Sequence, residues 1–187
     1  MNYIVLDLEA TCWDKGMKYQ NEIIEIGALK INETKEIVSE FQSFVKPIRF
    51  PILSDFCKEL TSITQEQVDA AAHFYEIIAA FKEWAEIEKE AYVLCSWGNY
   101  DKNQFISDCK LHHLNSEWTN RHISVKHQYR DIKKLRRPIG MKWALEKEKI
   151  QLEGTHHRGI DDARNIAKIF IKYFEEWDFE NCSSKVG

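Results

Sequence analysis

Two acidic residues near the start of the chain, Asp7 and Glu9, have a spacing that suits metal binding. They lie in the stretch NYIVLDLE, which reads as a buried β-strand, so both carboxylates project from one face about 6.6 Å apart along the backbone. Buried carboxylates this close repel one another and lose hydration, unless one is protonated or cations bind to them. Two divalent ions roughly 4 Å apart, such as Mg²⁺ or Mn²⁺, would resolve the conflict. The alternative is a strand that ends in water, where two acids need no cation.

A third acid, Asp101, follows the short apolar stretch AYVLCSWG. Residues from separate strand ends can meet at one edge of a sheet, and Asp101 would then add a third carboxylate to the site. Aspartate is also a preferred N-cap, and a helical pattern begins at about this residue, so a purely structural role stays open.

The stretch THHRGIDDARNIAKIF, which begins at residue 155, contains two further aspartates at the start of a helical pattern. If the helix begins near residues 159–161, Asp162 lies one turn before Ile166 of the apolar stripe and points toward the sheet. Asp161 is rotated by about 100° and is expected to cap the helix or to be exposed. The helix dipole favours either carboxylate in the first turn, which is the structural alternative.

Two histidines, His156 and His157, precede these aspartates on the predicted loop. A neutral imidazole near bound metal ions can take a proton from water, so His157 is a candidate general base. His156 competes for the same role on the evidence of the residues alone.

A sheet is needed to position these residues. Strands are predicted at residues 2–9, 21–32 and 37–47, with a loop over residues 11–20, and the three form an antiparallel meander. The first strand is apolar on both faces and is therefore expected at the centre. The stretches AYVLCSWG and HISVKHQ are predicted as two further strands.

Helical periodicity begins at Leu53 and alternates with strands from there on. Thr64 is a predicted N-cap with Gln67 three residues later, and a longer helix is predicted from His73 to Lys89. Further helices are predicted after residue 99, over MKWALEKEKI and at the end of the chain. Strands first and interspersed helices later predict an α/β fold with a mixed sheet.

The composition fits one globular domain over residues 1–187, with 44% hydrophobic residues and six tryptophans, and a tail expected to be flexible from about residue 181. The chain shows neither a signal-peptide pattern nor an apolar run of ~18 residues, so we expect a cytoplasmic protein without membrane association. The five scattered cysteines predict free, mostly structural thiols. Zinc at Cys109, His112 and His113 is disfavoured, because no fourth ligand is suitably spaced.

The net charge of −4 argues against nonspecific coating of nucleic acid, but residues 121–137 form a local basic segment. Asp131 is its one acid among seven lysines and arginines. Such a segment can contact phosphates or can be a solvated helix face, and both interpretations stay open.

Taken together, the D-x-E of the first strand, the aspartate after a mid-chain strand and the H-x-x-x-x-D at the last helix resemble the DEDDh exonucleases, a DnaQ-like family. The segments IVLDLEATCW, FPILSDFCKELTSITQEQVD and HHRGIDDARNIAKI look like the branch with small-RNA and histone-mRNA trimming exoribonucleases and related bacterial proteins. The resemblance covers nearly the whole chain. It implies a ribonuclease H-like α/β fold, with a mixed central sheet flanked by helices in a single domain.

The resemblance assigns roles to individual residues. The four acidic ligands of two Mg²⁺ or Mn²⁺ ions match Asp7, Glu9, Asp101 and Asp162. The family's histidine lies five positions before its last aspartate, which favours His157 over His156 as the general base. Glu25, in the second strand, is expected to be structural.

The implied activity is metal-dependent 3'-to-5' exonuclease cleavage that releases nucleoside 5'-monophosphates from single-stranded 3' ends, with RNA favoured over DNA. The family grips the terminal nucleotide with residues that match Ala10, Thr11, Leu60, Thr61 and Ile63. The basic segment would guide the approaching strand. The alternatives are a DNA-directed, proofreading-type enzyme and a catalytically idle nucleic-acid-binding module. Protein partners are not indicated.

Overall fold

The computed structural model describes residues 1–14 and 20–180, which build a five-stranded sheet with helices on both faces. The strands are β1 (Asn2–Ala10), β2 (Ile23–Ile31), β3 (Ile37–Phe44), β4 (Tyr92–Ser96) and β5 (His122–Ser124). The helices are α1 (Asp55–Thr61), α2 (Gln65–Asp69), α3 (Phe74–Trp84), α4 (Tyr100–Leu111), α5 (Val125–Ile132), α6 (Met141–Glu148) and α7 (Gly159–Lys172). Residues 15–19 of the predicted loop and the predicted flexible tail from residue 181 lie outside the described ranges.

β1 lies at the centre of the sheet, whose strand order is β3-β2-β1-β4-β5. β2 is antiparallel to both β1 and β3, which confirms the predicted meander. β4 runs parallel to β1, and β5 runs parallel to β4. The carboxyl ends of β1 and β4 therefore lie at the same edge of a mixed sheet, in the predicted ribonuclease H-like α/β architecture.

The alternation of side chains along β1 separates two apolar layers. Val5 packs on one face with residues of α6 and α7, and Ile4 and Leu6 pack on the other with residues of α3 and α4. Asp7 and Glu9 follow Val5 at intervals of two residues, so they lie on the face that α7 covers. The burial of these layers fixes the strand that carries the first two acids.

The stretch HISVKHQ, predicted as one strand, is a short strand followed by a helix. β5 ends at Ser124 and α5 begins at Val125. Val125 and Tyr129, four residues apart, are both fully buried against the core, which is the spacing of a helix face. The strand prediction was wrong for residues 125–128, because so short a stretch fits both periodicities and tertiary packing decides between them.

The predicted helix signals around residue 64 are present. The Thr64 hydroxyl accepts from the Gln67 amide and the Gln67 side chain accepts from the Thr64 amide, so α2 begins with a capping box. α3 ends at Trp84, earlier than the predicted Lys89, and Glu86 just beyond it has the left-handed φ of 58°. Within residues 1–14 and 20–180, no helix is both long and apolar enough to span a membrane.

Gly27 on β2 permits a close approach of α7 to the sheet. A Cβ atom at this position would overlap the backbone of Gly159 and Ile160, where α7 begins. Because the first turn of α7 also carries Asp162, this glycine helps to set how near that carboxylate lies to β1.

We expect Gly27→Ala to destabilise the protein by about 3 kcal/mol or more, because the methyl group meets backbone atoms that cannot rotate away. Thermal unfolding should show a fall in Tm on the order of 5–10 °C. Gly140→Ala is the matched control, since an added Cβ there would have its nearest neighbour at 4.0 Å. Equal melting temperatures for the two variants would contradict the close approach.

Candidate active site

Three carboxylates converge at the carboxyl end of β1. Oxygen atoms of Asp7, Glu9 and Asp162 lie within 4.8 Å of one another. Asp7 and Glu9 are on one face of β1, and Asp162 is in the first turn of α7, which packs on that face. The structure thus brings together residues separated by about 150 positions in the chain.

Asp101 lies in the first turn of α4 and borders the same cavity. Its Oδ1 accepts a hydrogen bond from the Leu8 amide at 3.1 Å. β4 ends at Ser96, which pairs with Leu6. The Asp101 carboxylate therefore accepts the hydrogen bond of the Leu8 amide beyond the end of β4. Asn99, and not Asp101, occupies the N-cap of α4, so the capping alternative for Asp101 was wrong.

The crowding of these acids has a clear electrostatic signature. Burial, followed by repulsion from Asp101 and Glu9, raises the pKa of Asp7 well above its usual value. Burial and the charges of Asp162 and Glu25 raise the pKa of Glu9 to about 8. Burial raises the pKa of Asp101 to about 6, against the opposing hydrogen bonds from Ser96 and the Leu8 amide. Carboxylate oxygens that repel one another in this way suit hard divalent cations, which neutralise the repulsion.

Both candidate histidines border this cavity and contact Asp162. The Nδ1 atom of His156 lies 3.0 Å from each carboxylate oxygen of Asp162, and the backbone amide of His157 donates to Oδ2 at 3.0 Å. The two rings are stacked with their centroids 4.0 Å apart. Burial, and then the adjacent His156, lower the pKa of His157. The geometry brings both rings to the site, and the ranking of His157 above His156 stays a prediction.

Glu25 and Asp161 have structural contacts. Glu25 is completely buried and accepts from the Gly159 amide at 3.0 Å, from the Arg158 guanidinium at 3.2 Å and from Gln42 at 2.7 Å. It therefore anchors the start of α7 to β2. Asp161 accepts from the Thr155 amide at 2.9 Å and orders the preceding loop. Arg158 occupies the N-cap of α7 and Asp161 is half-buried, so the prediction that Asp161 caps the helix or is exposed was wrong.

The cavity has a volume of about 350 Å³, and several residues outside the sequence motifs line it. Besides the acids and histidines, its lining includes Trp97, Tyr100, Lys126, Met141 and Ile166. Trp97 and Tyr100 belong to SWGNYD, which ends at Asp101, and their aromatic character at a strand end was the available signal. The cavity therefore joins an acidic floor to an apolar and aromatic wall.

The predicted nucleotide-grip residues at the end of β1 are buried. Ala10 is 7% exposed and Thr11 is 2% exposed. The Thr11 hydroxyl accepts from the Glu22 amide at 2.9 Å, which fixes the chain as it leaves the sheet. The Thr11 amide also donates to the Glu22 carbonyl at 2.8 Å, and neither residue lines the cavity, so their contact with a nucleotide stays a prediction.

The grip residues predicted near α1 divide into exposed and buried positions. Leu60 is 37% exposed, whereas Thr61 and Ile63 have no exposed surface. The Thr61 hydroxyl donates to the Cys57 carbonyl and accepts from the Ile63 amide, so these two residues support the helix end. Phe56, which the sequence analysis did not single out, is 38% exposed one turn before Leu60 and shares its face.

The basic segment is only partly available to a ligand. Lys126 borders the cavity. Lys133 pairs with Glu148 at 3.1 Å, and Arg130 pairs with its neighbour Asp131. Cys109, of the disfavoured zinc site, is completely buried in the apolar core, and the groups suited to a metal among the described residues are those around Asp162.

Comparisons with known proteins agree with this geometry. A family model described as Exonuclease (RNase_T) matches residues 4–170. ERI1 exoribonuclease 2 of Xenopus laevis is 34% identical over 188 residues, which cover 89% of this chain and 27% of that protein. The probable 3'-5' exonuclease KapD of Bacillus subtilis (strain 168) is 32% identical over 170 residues, which cover 89% of this chain and 82% of that protein.

A solved structure extends the similarity to the fold. The nuclease domain of 3'hExo, described as a DEDDh family member bound to rAMP, superposes with a TM-score of 0.87 at 30% identity and covers 94% of this chain and 92% of that one. The chain spans between 27% and 52% of the length of the animal exoribonucleases that it matches.

Proposed function

Because the chain belongs to the DEDDh family of exonucleases, we propose that it is a metal-dependent 3'-to-5' exonuclease that shortens single-stranded RNA and releases nucleoside 5'-monophosphates. The observation that carries this proposal is the convergence of Asp7, Glu9 and Asp162 at one cavity that Asp101 and His157 also border. A catalytically idle module would have no use for a site where burial and neighbouring carboxylates raise the pKa values of Asp7 and Glu9.

The four acids Asp7, Glu9, Asp101 and Asp162 would hold two divalent ions, Mg²⁺ or Mn²⁺. Their donor set fits such ions, since every ligand atom is a carboxylate oxygen, the donor that hard divalent cations prefer. When bound, the ions favour deprotonation of the attacking water and stabilise the charge that develops on the phosphodiester.

The protein's own groups would manage the proton and the substrate. His157 would accept the proton of the attacking water at a ring nitrogen, and its lowered pKa keeps the ring neutral near pH 7 for this task. Tyr100 and Trp97 present aromatic surface to a terminal base. Backbone of Ala10 and Thr11 and the exposed side chain of Leu60 would limit the site to a single-stranded end.

The preference for RNA rests on the relatives. ERI1 exoribonuclease 2 is named for RNA cleavage, and the nuclease domain of 3'hExo binds rAMP. A DNA-directed enzyme is the second candidate and has the same catalytic residues, so substrate comparison must separate the two.

The test is digestion of matched RNA and DNA oligonucleotides, single- and double-stranded and labelled at the 5' end, with Mg²⁺, Mn²⁺ or EDTA. We expect a descending ladder of labelled products from single-stranded RNA, faster than from DNA, and its loss in EDTA. Equal rates on RNA and DNA would support a DNA-directed enzyme as much as an RNA-directed one. Binding without cleavage in both metals would identify an idle module, and activity in EDTA would contradict the metal-dependent mechanism.

A further inference from the structure

The arginine between His157 and α7 turns away from the cavity and contacts the second strand of the sheet. Arg158 Nε donates to Glu25 Oε2 at 3.2 Å, and Arg158 Nη2 donates to Glu25 Oε1 at 3.3 Å. The Glu25 side chain has no exposed surface, and the Arg158 side chain is 19% exposed. Because the planar guanidinium contacts both oxygens of a buried carboxylate, the arginine is fixed in direction as well as in position.

Glu25 is itself held by further donors. Gln42 of β3 donates to its Oε1 at 2.7 Å, and the Gly159 amide donates to its Oε2 at 3.0 Å. In the antiparallel pairing of β1 with β2, Glu25 lies opposite Glu9, one of the acids of the cavity. The ion pair between Arg158 and Glu25 therefore links the loop before α7 to the strand pair that carries the acidic cluster.

The backbone of this loop is strained next to the ion pair. His157 has a left-handed φ of 65°, a conformation that disfavours residues with a Cβ atom. Arg158 is extended and is the N-cap of α7, and its carbonyl accepts from the Asp162 amide at 2.8 Å. Without the hold on the Arg158 side chain, the loop could relax from the left-handed conformation, and the His157 ring and the first turn of α7 would shift with it.

The direction of the Arg158 side chain keeps it out of the cavity. Arg158 is absent from the described residues that line the cavity beside His157, and it borders a separate groove of about 590 Å³ that Phe44, Gln67 and Ala71 also line. Its guanidinium carbon lies 5.4 Å from the centroid of the Phe44 ring. Arg158 therefore acts on a reaction in the cavity only through the residues that it holds.

We propose that Arg158 and Glu25 are positioning residues for the cleavage reaction. Their ion pair holds the loop of residues 155–158 so that the His157 ring and the Asp162 carboxylate face the cavity. Loss of the pair would lower the rate of cleavage in the bound complex more than the affinity for the RNA end. The effect on the rate rests on the proposed function, whereas the effect on the loop does not.

Amide hydrogen exchange of the full chain, without metal or RNA, tests the hold on the loop. We expect Arg158→Ala to speed exchange of the His157 and Gly159 amides, which both donate to buried carboxylates, by about tenfold or more, with the amides of β1 unchanged. Lys172→Ala is the control, since it removes a cation that pairs with Glu148 at the opposite end of α7, about 20 Å along the helix. Unchanged exchange of both amides in Arg158→Ala would overturn the proposal.

Steady-state trimming of 5'-labelled single-stranded RNA in Mg²⁺, well below the Tm of each variant, tests the effect on the rate. Arg158→Ala should lower kcat by about tenfold or more and change KM by less than about threefold, because displaced reacting groups slow the chemical step. Arg158→Lys keeps the charge but loses the planar two-point contact, so its kcat should be intermediate. Lys172→Ala should keep the original kcat. A rise in KM alone for Arg158→Ala would indicate direct binding of RNA and would overturn the positioning role.

The groove beside Arg158 lets a small cation replace the missing side chain. Millimolar guanidinium chloride, far below denaturing concentrations, should restore part of the kcat of Arg158→Ala, whereas sodium chloride at equal ionic strength should not. Glu25→Gln lacks the charge that would bind guanidinium and should not respond. Equal rescue of Arg158→Ala and Glu25→Gln would overturn the assignment of Glu25 as the partner. The double variant should lose no more kcat than the slower single variant, and a multiplied loss would contradict a shared role.

The two measurements distinguish failure of this proposal from failure of the proposed function. An original protein that trims no RNA in Mg²⁺ or Mn²⁺ would overturn the proposed function, while amide exchange would still decide whether the ion pair holds the loop. An original protein that trims RNA, with an unchanged kcat in Arg158→Ala, would overturn the positioning role alone.

Discussion

Asp7→Asn is expected to reduce the rate of 3' trimming by at least on the order of 10³-fold while the protein stays folded. Loss of one ligand from a metal site that contributes several kcal/mol to the transition state corresponds to that factor. The substitution keeps the shape of the side chain and removes only its charge. Initial rates on 5'-labelled single-stranded RNA at saturating Mg²⁺ would measure the effect.

The same variant should be at least as stable as the original protein without divalent ions. The pKa of Asp7 is raised in the folded state, so at neutral pH the charged carboxylate opposes folding and its removal relieves that cost. Added Mg²⁺ should raise the Tm of the original protein more than that of Asp7→Asn. Asp161→Asn, an acid outside the cluster, is the control and should retain activity within about tenfold. Near-normal activity of Asp7→Asn would remove the basis for the metal site.

His157→Ala should lower kcat by about 10²- to 10⁴-fold, the range that general bases contribute, whereas His156→Ala should cost less than about tenfold. A base acts when deprotonated, so activity of the original protein should rise with pH through the pKa of His157. Burial and the adjacent His156 lower that pKa, so the rise should lie at lower pH than an unperturbed histidine would give. The pH profile of activity for His157→Ala should lack this rise.

The His156 ring contacts Asp162, so the loss of His156 can also affect metal binding. If the contact persists with ions bound, His156 would orient the Asp162 carboxylate, and its loss would weaken Mg²⁺ activation rather than remove the rise with pH. Equal losses of kcat at both histidines, with the rise absent in both, would contradict the assignment of a single base.

Local patterns predicted the frame that carries the site. The alternation in β1 placed Asp7 and Glu9 on one face, and the apolar stripe of α7 aimed Asp162 at the sheet, because both patterns reflect burial of a strand or a helix face. The capping residues of α2 were predictable for a different reason, because a capping box depends only on hydrogen bonds between residues three positions apart.

Contacts between distant segments were not predictable in this way. The helical state of Val125 depends on packing against the core, and the burial of Thr61 and Ile63 depends on how the end of α1 meets β2. Lys126 at the cavity and Glu25 at the start of α7 likewise result from tertiary arrangement. For the basic segment, composition showed the charge but not which side chains already have acidic partners.

The packing of α7 on β1 also has a consequence for synthesis on the ribosome. Asp7 and Glu9 are synthesised about 150 residues before Asp162 and the loop with His157. Chains whose synthesis stops before the loop that begins at residue 155 hold Asp7, Glu9 and Asp101 but neither Asp162 nor His157. Nascent and truncated chains are therefore expected to be inactive toward the messenger RNA that encodes them.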